Sequence, residues 1–163
     1  MNAPTSAADE QLLMSWLAVI GMLTMYWSPV ERHIDQCVHL LHQQLITHKK
    51  PKKPSRLGSK LDFIKSTMPI GIIGTKELEK LTKLTKTTAK IRDVCVHGVL
   101  NSYDQEKIEI GKIDGRSVEH AIENFTIDRN RLDRSAKALS VLQHEWASIA
   151  WSLCQTRAQN VMA

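Results

Sequence analysis

Hydrophobic residues recur at steps of three and four through most of the chain, which is the period of a helix packed on a core. The first such stripe starts after residue 7 and includes Leu12, Trp16, Val19, Leu23, Tyr26, Val30, Ile34, Val38, Leu41 and Leu45. Pro29 interrupts it, because proline lacks an amide donor and presses on the carbonyl of Met25. Ser28-Pro29-Val30-Glu31 also fits a capping box that would start a second helix. Because the stripe is unbroken, we favour one long helix kinked at Pro29.

Three more helical segments follow. Leu57, Leu61, Ile64 and Met68 mark a short second helix, which Pro69 and the glycines after it should close. Thr75 offers a cap for a third helix ending at Gly98. Its inward residues would be Leu78, Leu81, Leu84, Thr88, Ile91, Cys95 and Val99. Asp128 can cap a last helix, whose stripe is Leu132, Leu139, Leu142, Trp146, Ile149 and Leu153.

The period changes to two between the third and last helices. Lys107-Ile108-Glu109-Ile110 alternates, Asp114-Gly115 is a strong turn signal, and alternation resumes from Val118 to Ile122. Residues 107–122 are therefore predicted to form a small β-hairpin.

The resulting fold class is mainly α, an antiparallel up-and-down bundle of about four helices with one hairpin. With 163 residues, of which 42% are hydrophobic and 24% charged, the chain suits a single domain, 1–163, with its own core. Residues 1–7 are small and predict a flexible start. Residues 47–55, which contain Lys-Lys-Pro-Lys-Lys-Pro, predict a basic extended linker.

Charge and cysteine content narrow the function classes without choosing one. A net charge of +5 permits an anionic partner such as RNA. Cys37, Cys95 and Cys154 each fall in an apolar helical pattern, which predicts buried free thiols in a reducing cytoplasm. Residues 11–30 carry no charge and are just long enough to span a membrane, but acidic residues precede them where a signal peptide would be basic. We therefore expect a buried core helix, a cytoplasmic protein and no membrane partner. The competing interpretation is an interfacial protein that uses Leu12–Trp27.

One hexapeptide carries a resemblance to a known family. Arg92-Asp93-Val94-Cys95-Val96-His97 fits the pattern of Arg, then Asn, Asp or His, then three residues, then His, and Gly98 follows it. This resembles the signature of the HEPN superfamily. Trp27-Ser28-Pro29-Val30-Glu31 is similar to an aromatic-small-x-aliphatic-Glu stretch of HEPN-like families, and the helical layout agrees.

The resemblance implies both an activity and an assembly. Many HEPN proteins are metal-independent endoribonucleases that work as dimers, with the motif helices of two subunits facing one cleft. Arg92 and His97 would be the catalytic pair, with Asp93 in support and without metal or cofactor. Other members are silent helical modules that bind RNA or a protein, such as an antitoxin. The resemblance thus leaves two functions open: a toxin-like or RNA-processing nuclease of a prokaryote, or a silent binding module.

Helical geometry adds constraints of its own. Asp93 and His97 are four residues apart, so they share a face and can hydrogen-bond. Arg92 lies about 140° around the helix from His97, so one copy does not aim both side chains at one point. Two copies, or a distorted helix end, would solve this. Arg92 also falls on the apolar stripe and needs a carboxylate partner, for which we predict Glu31. That ion pair could equally be a purely structural role for Arg92.

Five lysines form one basic stripe on the third helix, on the line of His97. They are Lys76, Lys80, Lys83, Lys86 and Lys90. They could guide an RNA backbone, although a solvated helix face is the simpler interpretation. The helical phases of the histidines and cysteine in residues 33–42 diverge, so we expect no metal site.

Overall fold

The computed structural model describes residues 6–45, 52–113 and 121–162, the last three of these by backbone alone. Four helices and three strands follow one another along this part of the chain. They are α1 (Ala7–Gln44), α2 (Leu57–Thr67), α3 (Thr75–His97), β1 (Val99–Tyr103), β2 (Lys107–Ile113), β3 (Ile122–Asp128) and α4 (Arg129–Met162). The mainly α class, with four helices and a small β segment between the third and the last, is confirmed.

α1 is one continuous helix that contains Pro29. The interpretation as two abutting helices is therefore wrong. Ser6 caps its start, because the Ser6 hydroxyl accepts a hydrogen bond of 3.2 Å from the amide of Asp9. The predicted flexible start falls mostly on residues 1–5, which lie outside the described residues. In length and hydropathy α1 could cross a membrane, although core helices and signal sequences pass the same test. A core helix is mostly buried, whereas 22% of the most apolar window of α1 is buried.

The connection between α2 and α3 follows the prediction with one difference. α2 ends at Thr67, and Gly71 adopts a positive φ of +94°, a conformation that favours glycine. Thr75 is the first residue of α3 instead of its cap, since the Gly74 carbonyl already accepts from the amide of Leu78 at 2.9 Å. In the predicted linker, residues 52–55 have no regular structure and residues 46–51 lie outside the described part.

The β segment is larger than the predicted hairpin. β1, β2 and β3 form an antiparallel sheet in that order, with Leu100 opposite Ile110 and Ile110 opposite Phe125. β2 begins at Lys107 as predicted. β3 begins at Ile122, where the predicted second strand ends, and runs to Asp128, and β1 was not expected. Val99 belongs to β1 and is exposed, so its assignment to the inner face of the third helix is wrong. The predicted Asp114-Gly115 turn lies outside the described residues.

The Asp128 cap of α4 is confirmed, because its carboxylate accepts a hydrogen bond of 2.7 Å from the amide of Arg131. Two residues assigned to helical core stripes are exposed instead, Tyr26 at 54% and Leu84 at 36%. Cys37 is buried, Cys95 half-buried and Cys154 exposed, so the burial predicted for Cys154 is wrong.

The chain clusters into two compact units, and α1, α3 and α4 contribute to both. Unit 1 comprises Met1–Trp27 and Thr87–Leu139, and unit 2 comprises Ser28–Lys86 and Ser140–Ala163. Unit 1 is centred on Trp16, whose indole N–H donates to the Asp104 carbonyl at 2.8 Å while the Arg129 guanidinium lies 4.9 Å from the ring centre.

Unit 2 is centred on a second buried tryptophan, Trp146. Its indole N–H donates to the Thr85 hydroxyl at 3.0 Å, and that hydroxyl donates to the Leu81 carbonyl at 2.7 Å. The indole N–H of Trp146 and the hydroxyl of Thr85 thereby have the hydrogen-bond partners that burial requires.

Candidate site at the carboxyl end of α3

The candidate site lies in unit 1, where α3 ends against β2. His97 is the last residue of α3, and the Gly98 amide closes the helix by donating to the Val94 carbonyl at 2.9 Å. A Cβ at position 98 would collide with the Ile110 side chain and lie 2.6 Å from the Val94 carbonyl oxygen. Glycine therefore lets the helix end lie directly on the strand, which brings β2 side chains beside the motif.

Asp93 and His97 approach each other as predicted, but the separation is longer than a hydrogen bond, so the contact is an ionic one. His97 Nε2 lies 3.6 Å from Asp93 Oδ1, and both side chains are about half exposed, at 58% and 46%. A carboxylate beside one ring nitrogen orients the imidazole and leaves the other nitrogen for proton exchange. Solvent and a ligand can both reach a site of this exposure.

Lys112 completes the site and was not predicted. Its ammonium donates to Asp93 Oδ2, so the carboxylate lies between an ammonium and an imidazole. Lys112 is on β2 in phase with Ile108 and Ile110, which are buried. A charged side chain on the inward face of an amphipathic strand needs a counter-charge. The position of Lys112 in the apolar phase of the strand could therefore have indicated an ion pair from the sequence.

Arg92 is half-buried, and its Nε is buried without a hydrogen-bond partner among the described residues. An unsatisfied buried N–H costs about 1–3 kcal/mol. A carboxylate or phosphate partner at Arg92 would therefore be stabilising. The structure brings Asp93, His97 and Lys112 together, while Arg92 is joined to them through the backbone of α3.

Glu31, the predicted partner of Arg92, belongs to unit 2. Its carboxylate lies 4.0 Å from Lys60, whose ammonium is also 2.7 Å from Asp35. Lys60 is 8% exposed, a buried lysine that the helical pattern of α2 did not single out. An ion pair between Glu31 and Arg92 would join the two units and stays a prediction.

All five lysines of the predicted basic stripe are exposed. Lys86 lies 3.3 Å from Asp62, and Lys90 lies 5.8 Å from the centre of the Phe125 ring. Lys76, Lys80, Lys83 and Lys86 are in unit 2 and Lys90 is in unit 1. Their role as RNA contacts stays a prediction.

The thiol within the hexapeptide is unsuited to act as a nucleophile. Burial raises the pKa of the Cys95 thiol to about 11, so it is protonated near neutral pH. Burial likewise raises the pKa of Cys37 to about 12. Within the hexapeptide, the imidazole of His97 therefore stays the candidate for proton exchange.

Two other features of the described residues bear on ligands. No group of three or more His, Cys, Asp or Glu in these ranges could hold a metal ion. Unit 2 has an open groove of about 750 Å³ between α1 and α4, lined by His33, His39, His144, Trp151 and Cys154 among others. Its histidines do not gather around one point that would bind a metal.

No protein-family model, no curated protein and no solved structure matches the chain. The resemblance to HEPN proteins therefore depends on the hexapeptide and its helical surroundings.

Proposed function

We propose that this protein is a cytoplasmic, metal-independent endoribonuclease of the HEPN type, toxin-like or RNA-processing, that acts as a homodimer. The observation that carries the proposal is the exposed contact between His97 and Asp93 at the end of α3, where Arg92 precedes them in sequence and Lys112 of β2 pairs with Asp93. One carboxylate against an ammonium and a guanidinium leaves a net positive charge, which attracts a phosphodiester.

The reaction would be cleavage of RNA by its own 2′-hydroxyl. His97 accepts the hydroxyl proton, the 2′-oxygen forms a bond to phosphorus, and the bond from phosphorus to the 5′-oxygen breaks. The leaving oxygen takes a proton from water. The products are a 2′,3′-cyclic phosphate and a 5′-hydroxyl. Arg92 offsets the charge that develops on the phosphoryl oxygens.

The dimer supplies what one helix lacks. Positions 92 and 97 are about 140° apart around α3, so Arg92 of one copy would serve the His97 of the other. Asp93 keeps the His97 ring in place, and Lys112 holds Asp93. Asp93 and Lys112 are thus positioning residues, and Arg92 and His97 touch the RNA.

The test is incubation of purified full-length protein with mixed RNA in EDTA, with product ends identified by mass spectrometry. His97→Ala should lower cleavage by about 10²-fold or more, the usual contribution of a general base. The matched control is His144→Ala, an exposed histidine of α4, which should cleave like the parent. Equal cleavage by the parent and His97→Ala would reject the nuclease.

Mixing two inactive variants tests the shared cleft. A mixture of His97→Ala and Arg92→Ala forms mixed dimers with one complete site, so about a quarter of parental activity should return. No recovery after subunit exchange would show that each copy works alone.

The alternative is a catalytically silent helical module that binds a protein partner, such as an antitoxin, or RNA. The buried Nε of Arg92 favours it, because a guanidinium held in the protein can serve packing alone. Retention of RNA by a protein that leaves it intact, unchanged in His97→Ala, would support the silent module.

A further inference from the structure

The first half of α1, in unit 1, has two apolar faces. One face is fully covered, with Trp16 and Leu23 at 0% exposure and Trp27 at 4%. The opposite face is open, and we call it the α1 stripe: Met14, Leu17, Ala18, Gly21, Met22 and Met25. The four large members are 44% to 76% exposed, and nothing lies within 4 Å of a Cβ built on Gly21. A soluble protein does not normally leave such a continuous apolar patch in water.

The stripe is symmetric along the helix about the midpoint between Val19 and Ile20. Residues equidistant from that point have matching sizes, with large side chains outside and small ones at the centre. The pairs are Met14 with Met25, Leu17 with Met22, and Ala18 with Gly21. In an antiparallel twofold contact each residue would meet its own mirror position on the other copy, which is the arrangement of an isologous interface.

We infer that the α1 stripe is a self-association surface that takes a second copy of this chain, antiparallel and centred on Ala18 and Gly21. The small central residues allow the two helix backbones to approach closely, and the methionines on either side adapt their shape to each other.

The exposed area of the α1 stripe is consistent with a second copy of the chain as its occupant. Five large side chains, counting the neighbouring Tyr26, each expose on the order of 100 Å², so a twofold contact would bury roughly 1,000 Å². That is near the lower limit for a specific interface and corresponds to a dimer that dissociates on dilution.

A lipid surface fits the stripe less well than a second copy does. Residues 6–31 contain no lysine or arginine, and Asp9 and Glu10 precede the stripe, whereas helices on anionic membranes carry basic residues. The covered face is also fixed by the indole hydrogen bond of Trp16 to Asp104. A bilayer-spanning α1 would have to break it.

The test is sedimentation equilibrium of the full chain over a concentration series. The parent should associate, and Met25→Glu should weaken association at least about tenfold, because it brings one unpaired charge per copy into the contact. Combining Met25→Glu with Met14→Lys should restore association, since opposite charges then meet across the twofold axis. Ile70→Glu, at a fully exposed position outside the stripe, is the matched control and should behave like the parent.

A second variant separates the contact from folding. Gly21→Phe fills the centre of the stripe, where the structure leaves open space, and should weaken association as Met25→Glu does, with the midpoint of thermal unfolding unchanged or higher.

A parent that stays monomeric throughout, or a double variant as dissociated as Met25→Glu, would overturn the inference. The inference would also be overturned if the parent did not self-associate and instead bound to neutral and anionic vesicles in a flotation assay. The inference does not depend on RNA cleavage, so inactive site variants leave it standing.

Discussion

Each unit contains a cluster of charged side chains, and the two clusters have opposite ratios of carboxylates to cationic groups. In unit 2 the buried ammonium of Lys60 lies between two carboxylates, 2.7 Å from Asp35 and 4.0 Å from Glu31. In unit 1 the carboxylate of Asp93 lies between Lys112 and His97, and its surroundings are more open.

The difference is the one expected if the Lys60 cluster stabilises the fold and the Asp93 cluster, as we propose, binds a ligand. The Lys60 cluster has two carboxylates against one ammonium, and the lysine side chain is 10% exposed. Nothing anionic could bind there. The Asp93 cluster has one carboxylate against an ammonium and an imidazole, and Arg92 is adjacent in sequence. Its spare positive charge and exposed imidazole suit a phosphate.

The largest expected effect is on RNA cleavage. Asp93→Asn should lower cleavage by about 10- to 100-fold, the usual loss when the carboxylate behind a functional histidine is removed. The loss should be in kcat with little change in KM, and Asp93→Glu should recover part of it. Asp35→Asn, assayed at a temperature where it is folded, is the control and should keep full activity. Equal losses in both variants would mean that the Asp93 cluster is no more functional than the Lys60 cluster.

For the free energy of unfolding we expect the reverse order, with the larger loss on replacing Asp35 and the smaller loss on replacing Asp93. Asp35→Ala leaves Lys60 buried with only the more distant Glu31, and should cost about 2 kcal/mol, less than a fully buried pair because Asp35 is 46% exposed. Asp93→Ala should cost about 0.5 kcal/mol, as for exposed ion pairs. Urea unfolding of both variants measures the two values, and a larger cost at Asp93 would contradict the comparison.

Replacing each lysine sharpens the contrast. Lys60→Met keeps the apolar stem in a buried place and frees two half-exposed carboxylates to water, so stability should change by less than about 1 kcal/mol. Lys112→Met should be similarly mild for folding but should weaken RNA cleavage, with Lys112→Arg recovering it. Lys107→Met, on the exposed face of the same strand, is the control. Cleavage by Lys112→Met at the parental rate would remove Lys112 from the site.

The smallest expected effect is on the stability at acidic pH, and it involves the turn between β1 and β2. The Asp104 carboxylate accepts hydrogen bonds from the amides of Glu106 and Lys107, which hold the pKa of Asp104 below its ordinary value of 3.8. A lowered pKa in the folded state means stability that is complete above pH 3.8 and lost as the pH falls through the folded-state value.

Asp104→Ala should therefore be less stable than the parent at neutral pH, and the difference in unfolding free energy between the two proteins should become smaller below pH 3.8. Urea midpoints measured for both proteins across this range provide the check. A gap of constant size would mean that the carboxylate charge is not involved.

The helices were predictable because their signals are local. The apolar period predicted that α1 continues through Pro29. Gly98 predicted the end of α3, which falls at His97, and the Asp128 cap predicted the start of α4. β1 was missed because its pairing with β2 is irregular between Leu100 and Ser102, so its burial does not alternate.

The site was predictable only where it is local. Asp93 and His97 are one helical turn apart, so their contact follows from the period of α3. Lys112 is on another element, and its contact with Asp93 depends on where the sheet meets the helix. Neither helical phase nor the hexapeptide contains that information.

The tight junction at Gly98 has a consequence for the newly made chain. Asp93 and His97 leave the ribosome before Lys112, and the strand bearing Lys112 can reach them only by folding back across the bare glycine. A nascent polypeptide that stops short of the sheet thus has the hexapeptide but not the assembled site. If the protein cuts RNA, its full activity would therefore have to wait until the strand has docked.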